Sequence, residues 1–340
     1  MRPNTLTTVL KGFIKMNKNV IIEGSPGIGK TVSVKAAVQQ LGEGFHVIFK
    51  HGPTMQPEDI ALPFRDPDNG RLDFARAGWI PLAGDYPEDD HVVVVIDELP
   101  QAATDVQKTV ANLIQEREAY GIPLHRNTSF IATGNRAADR AGANRILSHL
   151  RNRMITLPFD THIDDWSDWA YKNDIPVEVI SFLQFKTDML NKFDPQNELN
   201  PTPRMWSENV SDIVRMVEAG TFPPEAELEA YTGCVGEGPA VEFKAFMQLH
   251  RELPHPDTVL AQAATFKLPT KQNILFALCG AIAHRADKGN MDAVATLAER
   301  MAPEFGVMIM LNVARRDPTL QNTKGYVRWA QKAGKVLVGG

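Results

Sequence analysis

Val20-Ile-Ile-Glu-Gly24-Ser-Pro-Gly-Ile-Gly29-Lys30-Thr31 decides how this chain is read. An apolar run leads into Gly24, Ser25, Pro26, Gly27, Ile28, Gly29, Lys30 and Thr31, which fit a glycine, four residues and Gly-Lys-Ser/Thr. Glycines let backbone N–H groups close around phosphate oxygens with no Cβ in the way. In such loops the lysine reaches the β- and γ-phosphates, and the hydroxyl after it ligates Mg²⁺. A helix starting at Lys30 turns its positive dipole end toward the same anion. The stretch predicts a nucleoside triphosphate site between a buried strand and a helix.

Outward from this loop, apolar runs and helical periods alternate. Residues 6–16 read as a short helix, 19–23 as a buried strand and 30–41 as a helix closed by Gly42 and Gly44. Residues 46–50 form a second strand. Residues 52–86 are irregular and rich in proline, with the turn signal Asp68-Asn69-Gly70 between Phe64 and Leu72. Val92-Val-Val-Val-Ile96 is the longest β-branched run, which predicts a strand of a parallel sheet buried on both faces. A helix at 103–117, a small hairpin around Tyr120-Gly121, a strand at 129–133, a helix at 145–154 and a strand at 155–157 follow. This alternation predicts a parallel sheet with helices on both faces. From residue 161 onward the signals are helical, over 164–171, 176–192, 204–218, 225–231, 240–249, 272–286, 290–301, 304–313 and 324–334.

Composition bounds the rest. Hydrophobic residues make up 43% and charged residues 23% of 340, ordinary for a globular chain with a core. The net charge of −5 gives no overall basic footprint for nucleic acid, although it leaves room for a local basic groove. Cys234 and Cys279 lie far apart without metal-ligand spacing and read as reduced core thiols of a cytoplasmic protein. No apolar run approaches a membrane span, and residues 1–18 lack the apolar core and cleavage site of a signal peptide. His250, His255 and His284 stand singly, so they read as structural rather than metal-ligating.

Four further signals lie where nucleotide hydrolysis needs them. Asp97 and Glu98 end the β-branched run, at the edge of a parallel sheet where ligands gather. Asp97 suits Mg²⁺, and Glu98 suits the general base that polarises the attacking water. Asn135, just past the 129–133 strand, offers an amide to orient that water, although Gly-Asn also serves simple turn chemistry. Arg151 and Arg153 in Leu150-Arg-Asn-Arg-Met154 offer an arginine finger; cations at a helix C-terminus are the plainer reading. Arg204 opens a helix after Pro203.

The order of these motifs resembles the AAA+ ATPases, in particular the MoxR-like and dynein-related branch. Residues 24–31 resemble Walker A, 92–98 Walker B, Asn135 sensor 1, Arg153 the arginine finger with Arg151 as its alternative, and Arg204 sensor 2. Met154 stands where that family usually has Phe, and Arg136 stands where a proline usually follows sensor 1. The resemblance implies an α/β P-loop domain over 1–159, a helical lid over 160–222 and, beyond the match, a helical extension over 223–340. It implies Mg²⁺-dependent ATP hydrolysis in a homo-oligomeric ring, usually a hexamer, with Arg153 acting on the neighbouring subunit's nucleotide. Two irregular stretches, 62–79 and 117–125, fall where this branch carries extra hairpins, with Phe64, Trp79 and Tyr120 as tip or base residues. The expected role is chaperone-like remodelling of a protein client, often with a von Willebrand A domain protein. The alternative is a nucleic-acid translocase or loader, for which Arg65, Arg71 and Arg76 supply cations offset by Asp66, Asp68 and Asp73. A non-hydrolysing ATP switch is a third reading, disfavoured by Glu98.

Overall fold

A computed structural model describes every residue except 69, 137, 138, 140–145, 339 and 340, with side chains described through residue 333. The chain divides into two compact units, Met1–Thr161 with Phe193–Gln196, and His162–Lys192 with Asn197–Gly340.

The first unit opens with α1 (Pro3–Lys15), β1 (Val20–Glu23), α2 (Lys30–Gln39) and β2 (Phe45–His51). A hairpin of β3 (Ala61–Arg65) and β4 (Leu72–Arg76) comes next, then β5 (His91–Asp97) and α3 (Thr104–Glu116). A second, minimal hairpin pairs β6 (Glu118–Ala119) with β7 (Ile122–Pro123). The unit closes with β8 (Thr128–Gly134), α4 (Ser148–Arg151) and β9 (Ile155–Pro158). Five strands outside the two hairpins form one parallel sheet in the order β2-β5-β8-β1-β9.

The β-branched run explains this sheet. Side chains alternate along a strand. Val94 and Ile96 therefore join Ile21, Phe130 and Ala132 against Val106, Val110 and Leu113 of α3. Val93 and Val95 join Val20, Ile22 and Ile131 on the opposite face, against Leu6, Leu10 and Ile14 of α1 and Val34 and Val38 of α2. Both faces are covered, so the strand can be apolar throughout. One expectation is corrected: the helix read over 145–154 is confined to Ser148–Arg151, and Met154 already faces the core. Arg145, where that helix was to begin, lies outside the described residues.

The second unit is helical: α5 (Ile163–Lys172), α6 (Val177–Phe185), α7 (Pro203–Met205), α8 (Ser211–Glu218), α9 (Glu227–Val235), α10 (Glu237–Arg251), α11 (Pro256–Ala261), α12 (Gln272–Arg285), α13 (Met291–Arg300), α14 (Pro303–Arg316) and α15 (Lys324–Val338). A π-helical turn at Trp206–Val210 joins α7 to α8, and the Ser211 hydroxyl donates to the Trp206 carbonyl inside it. The wider turn seats the buried Trp206 ring against Phe182 and Phe243. Tyr231 packs on Phe243 in the same core. At Gly280 of α12 a Cβ would lie 1.8 Å from the Ser181 hydroxyl of α6, so any larger residue there would force that side chain to shift. Glu227 is wholly buried and paired with Lys244 and Arg251. Glu178 lies beside Glu218 and 3.6 Å from His250, and burial pushes both carboxyls up and the imidazole down. α11 was not anticipated; six residues are too short for a helical period, and His255 caps it by accepting from the Asp257 amide.

Candidate nucleotide site

Gly24–Thr31 spans the turn from β1 to α2, and Gly27 and Gly29 have φ values of 71° and 90°. That left-handed backbone is disfavoured for a residue carrying a Cβ, so glycine is favoured at both positions. Gly24 is a glycine for another reason: a Cβ there would lie 2.7 Å from the Phe159 carbonyl oxygen and 2.6 Å from Ile28 Cδ1. The Gly24 amide donates to the Gly134 carbonyl at 3.2 Å, which ties the loop to the end of β8.

Lys30 is almost fully buried. Its ammonium donates to the carbonyls of Gly24 and Ser25, both at 2.8 Å, and to Asn135 Oδ1 at 3.0 Å. Thr31 Oγ1 donates to Asp97 Oδ1 at 2.7 Å. The residues singled out on β1, β5 and β8 therefore meet at the C-terminal ends of three neighbouring strands. Their order in the sheet, β5-β8-β1, places Asn135 between the Asp97 and Lys30 strands. The donor set fits Mg²⁺: hydroxyl and carboxylate are hard oxygen ligands, and Thr31 and Asp97 present them side by side. The backbone N–H groups of the loop and the Lys30 ammonium are the matching donors for phosphate oxygens.

Glu98 follows Asp97 with φ 54° and ψ 37°, a left-handed conformation rarely taken by a residue with a side chain. Its carbonyl accepts from the Gln101 amide at 2.9 Å. Two glycines make room for this turn. A Cβ at Gly52 would lie 3.0 Å from the Glu98 carbonyl oxygen, and one at Gly134 would lie 2.6 Å from Pro100 Cγ.

The two arginines separate in their contacts. Arg151 pairs with Glu23 at 2.5 Å, so it is held by the strand that carries the loop of its own chain. Arg153 donates to the His149 carbonyl at 2.7 Å and to Gln115 Oε1. Arg136 donates to the Phe159 carbonyl at 2.7 Å and pairs with Asp160 at 3.4 Å. The segment after Asn135 is thus fastened to the segment leaving β9. Arg204 is exposed on the first turn of α7, in the second unit, where Thr202 caps the helix by accepting from the Met205 amide.

Sequence reading did not single out Glu23, Gly52, Thr133 or Gly134. Glu23 carried a faint signal, a charge at the end of an otherwise apolar strand. The others act through partners distant in sequence.

Both irregular stretches contain hairpins. β3 and β4 pair antiparallel from Ala61 opposite Arg76 to Arg65 opposite Leu72. Leu62, Phe64, Leu72 and Phe74 are exposed along the arms. Trp79 is buried at the base and donates from Nε1 to the Asp59 carbonyl at 2.7 Å. Tyr120, in the turn of the second hairpin, clamps the root of the first. Its hydroxyl accepts from the Ala77 amide at 3.0 Å and donates to the Ile60 carbonyl.

A family model described as the AAA domain of the dynein-related subfamily matches residues 19–154. Among solved structures, a candidate ATPase from Cytophaga hutchinsonii is 16% identical over 90% of this chain and 79% of that one, with a TM-score of 0.34. The Thermotoga maritima RuvB Holliday junction branch migration motor is 16% identical over 76% of this chain and 79% of its own, with a TM-score of 0.39. NtrX from Brucella abortus is 15% identical over 98% of this chain and 67% of its own, with a TM-score of 0.35. At these scores the structural likenesses support no functional conclusion.

Proposed function

We propose, from the match of residues 19–154 to the AAA domain of the dynein-related subfamily, that the chain is a Mg²⁺-dependent ATPase that remodels a protein client. The observation that carries the proposal is the continuous set of contacts joining Lys30 to Asn135 and Thr31 to Asp97 across three adjacent strands. Loop amides and Lys30 would bind the phosphates of ATP, and Thr31 and Asp97 would hold the metal. Mg²⁺ held there would supply charge neutralisation on the phosphate oxygens. Asn135 orients a water toward the γ-phosphorus, and the Glu98 carboxylate takes its proton. A bond forms from the water oxygen to phosphorus as the bond to the bridging oxygen breaks, which leaves ADP and phosphate.

Arg153 is proposed as the finger acting on the next subunit's nucleotide in a homo-oligomeric ring, a hexamer in this reading. Arg151, engaged by Glu23 of its own chain, is then a cis element. Arg204 is proposed as the sensor 2 residue of the helical region. In this reading residues 160–222 serve as the lid and 223–340 as the extension that adapts the ring to its client. The exposed apolar side chains on both arms of the first hairpin favour a protein client over nucleic acid. Among the described residues no helix is long and apolar enough to cross a membrane.

The test is ATP turnover by the wild type and by Glu98→Gln, with and without single- and double-stranded DNA. Wild-type hydrolysis indifferent to DNA, together with a variant that binds ATP without turning it over, is the expected result. Turnover by Glu98→Gln at the wild-type rate would overturn the assignment of the base, and strong stimulation by DNA would favour the translocase.

A further inference from the structure

We infer that Thr133 is a positioning residue for hydrolysis, an inference that rests on the ATPase reading above and deepens it. Thr133 is wholly buried in β8, two residues before Asn135. Its hydroxyl makes two contacts on β5 and the turn beyond: it donates to Asp97 Oδ1 and accepts from the Glu98 amide at 3.0 Å. A hydroxyl has one proton to give, so the Asp97 contact uses its donor and the Glu98 contact uses a lone pair. One side chain therefore grips both the carboxylate assigned to the metal and the backbone of the residue assigned as base.

The need for such a grip follows from the conformation. Consecutive strand residues send their side chains to opposite faces. The left-handed backbone of Glu98 interrupts that alternation directly after Asp97. Such a conformation persists in a residue with a side chain only where its surroundings hold it. Here the Glu98 amide is held by Thr133 and its carbonyl by the Gln101 amide. Gly52 and Gly134 leave the turn no spare room on either side. Asp97 Oδ1 also accepts from Thr31, so the two threonine hydroxyls converge on one carboxylate oxygen and fix its rotation. Thr133 thus sets the relative placement of Asp97 and Glu98 without itself facing the nucleotide.

The test compares kcat, KM and the affinity for a fluorescent ATP analogue in wild type, Thr133→Val, Thr133→Ser and Glu98→Gln. Valine nearly keeps the shape and removes the hydroxyl. Thr133→Val is expected to lose at least tenfold in kcat while its affinity and binding stoichiometry stay within threefold. Thr133→Ser is expected to recover kcat to within threefold of wild type. In the Glu98→Gln background, Thr133→Val is expected to change the residual rate by less than twofold, because the positioned group is gone. Should the valine variant fail to fold, Thr133→Ala, which cannot clash, is expected to show the same kcat loss at unchanged affinity. Wild-type kcat in the valine or alanine variant, with Glu98→Gln inactive, would overturn this inference alone. Equal losses of affinity and kcat would assign Thr133 a purely structural role and also overturn it. A wild type that does not hydrolyse ATP would overturn the ATPase reading and this inference together.

Discussion

Gly24→Ala separates space from backbone conformation as the reason for a glycine in the phosphate loop. Gly29 has φ 90°, and a methyl group placed there would meet nothing within 4 Å, so its constraint is conformational. Gly24 lies outside the left-handed region, and its constraint is the Phe159 carbonyl, 2.7 Å from where a Cβ would sit. Ordinary contact begins at 3.4 Å, so the methyl needs about 0.7 Å more room than it has. Ile28 can yield by rotating its terminal methyl. The carbonyl cannot easily yield, because Arg136 binds it at 2.7 Å and the Phe159 amide donates to Glu23 at 2.8 Å. Overpacking of this kind costs about 2 kcal/mol. For a unit of this size that lowers the melting temperature by roughly 4–8 °C. The loop, rather than the sheet, is expected to move, and a shift of that size breaks hydrogen-bond geometry to a phosphate. At least a tenfold loss of affinity, about 1.4 kcal/mol, is expected for the fluorescent ATP analogue. Gly24→Ala with Arg136→Ala frees the carbonyl and is expected to recover part of both losses. A single variant that melts within 1 °C of wild type and binds within twofold would refute the argument.

Three other outcomes follow from particular contacts. Tyr120→Phe removes both hydrogen bonds at the root of the first hairpin; a loss of about 1–3 kcal/mol of local stability is expected, read as faster exchange of the Ala77 amide and faster proteolysis within 61–76. In the second unit, burial holds the His250 pKa below its ordinary value, so the native state binds its proton less tightly than the unfolded chain. That contribution to stability is present above about pH 6.5 and is lost as pH falls through the lowered native value. Glu178 and Glu218 act in the opposite sense: burial raises both, so their contribution is present below about pH 4.3 and is lost as pH rises through the raised native values. Melting temperatures between pH 5 and 7 should therefore rise with pH in the Glu178→Gln/Glu218→Gln double variant and fall with pH in His250→Gln, and slopes of the same sign would contradict this. Arg153→Ala is expected to lose turnover and regain part of it when mixed with a Lys30→Ala subunit that keeps Arg153; absence of rescue would argue against action across an interface.

The loop, the β-branched strand and the Asp-Asn-Gly hairpin were legible in the sequence because each is written in adjacent residues. Glycine at Gly27 and Gly29 answers a local backbone demand, and Val92–Ile96 needs only the rule that side chains alternate between two covered faces. Asp97, Glu98 and Asn135 stood out in the sequence because ligands collect at the C-terminal ends of parallel strands, so a polar residue there has meaning before the sheet is assembled. Short elements were harder. The period of α4 was overextended, and α11 is too brief to show one.

Tertiary structure alone decided the pairings. Thr133 meets Glu98 across 35 residues, Arg136 meets Phe159 across 23, Tyr120 meets Ile60 across 60, and Arg151 meets Glu23 across 128. A threonine in a strand or an arginine at a helix end has the same local signature whether or not such a partner exists. Strand order supplies the partner: β8 lies between β5 and β1, so the hydroxyl and the amide it carries reach Asp97 and Glu98 on one side and Lys30 on the other. The sequence by itself therefore determined a glycine-rich loop between a strand and a helix and two adjacent carboxylates at a strand end, because both are written in neighbouring residues. The order of the strands determined which side chains hold them in place, because that depends on neighbours brought together only by folding.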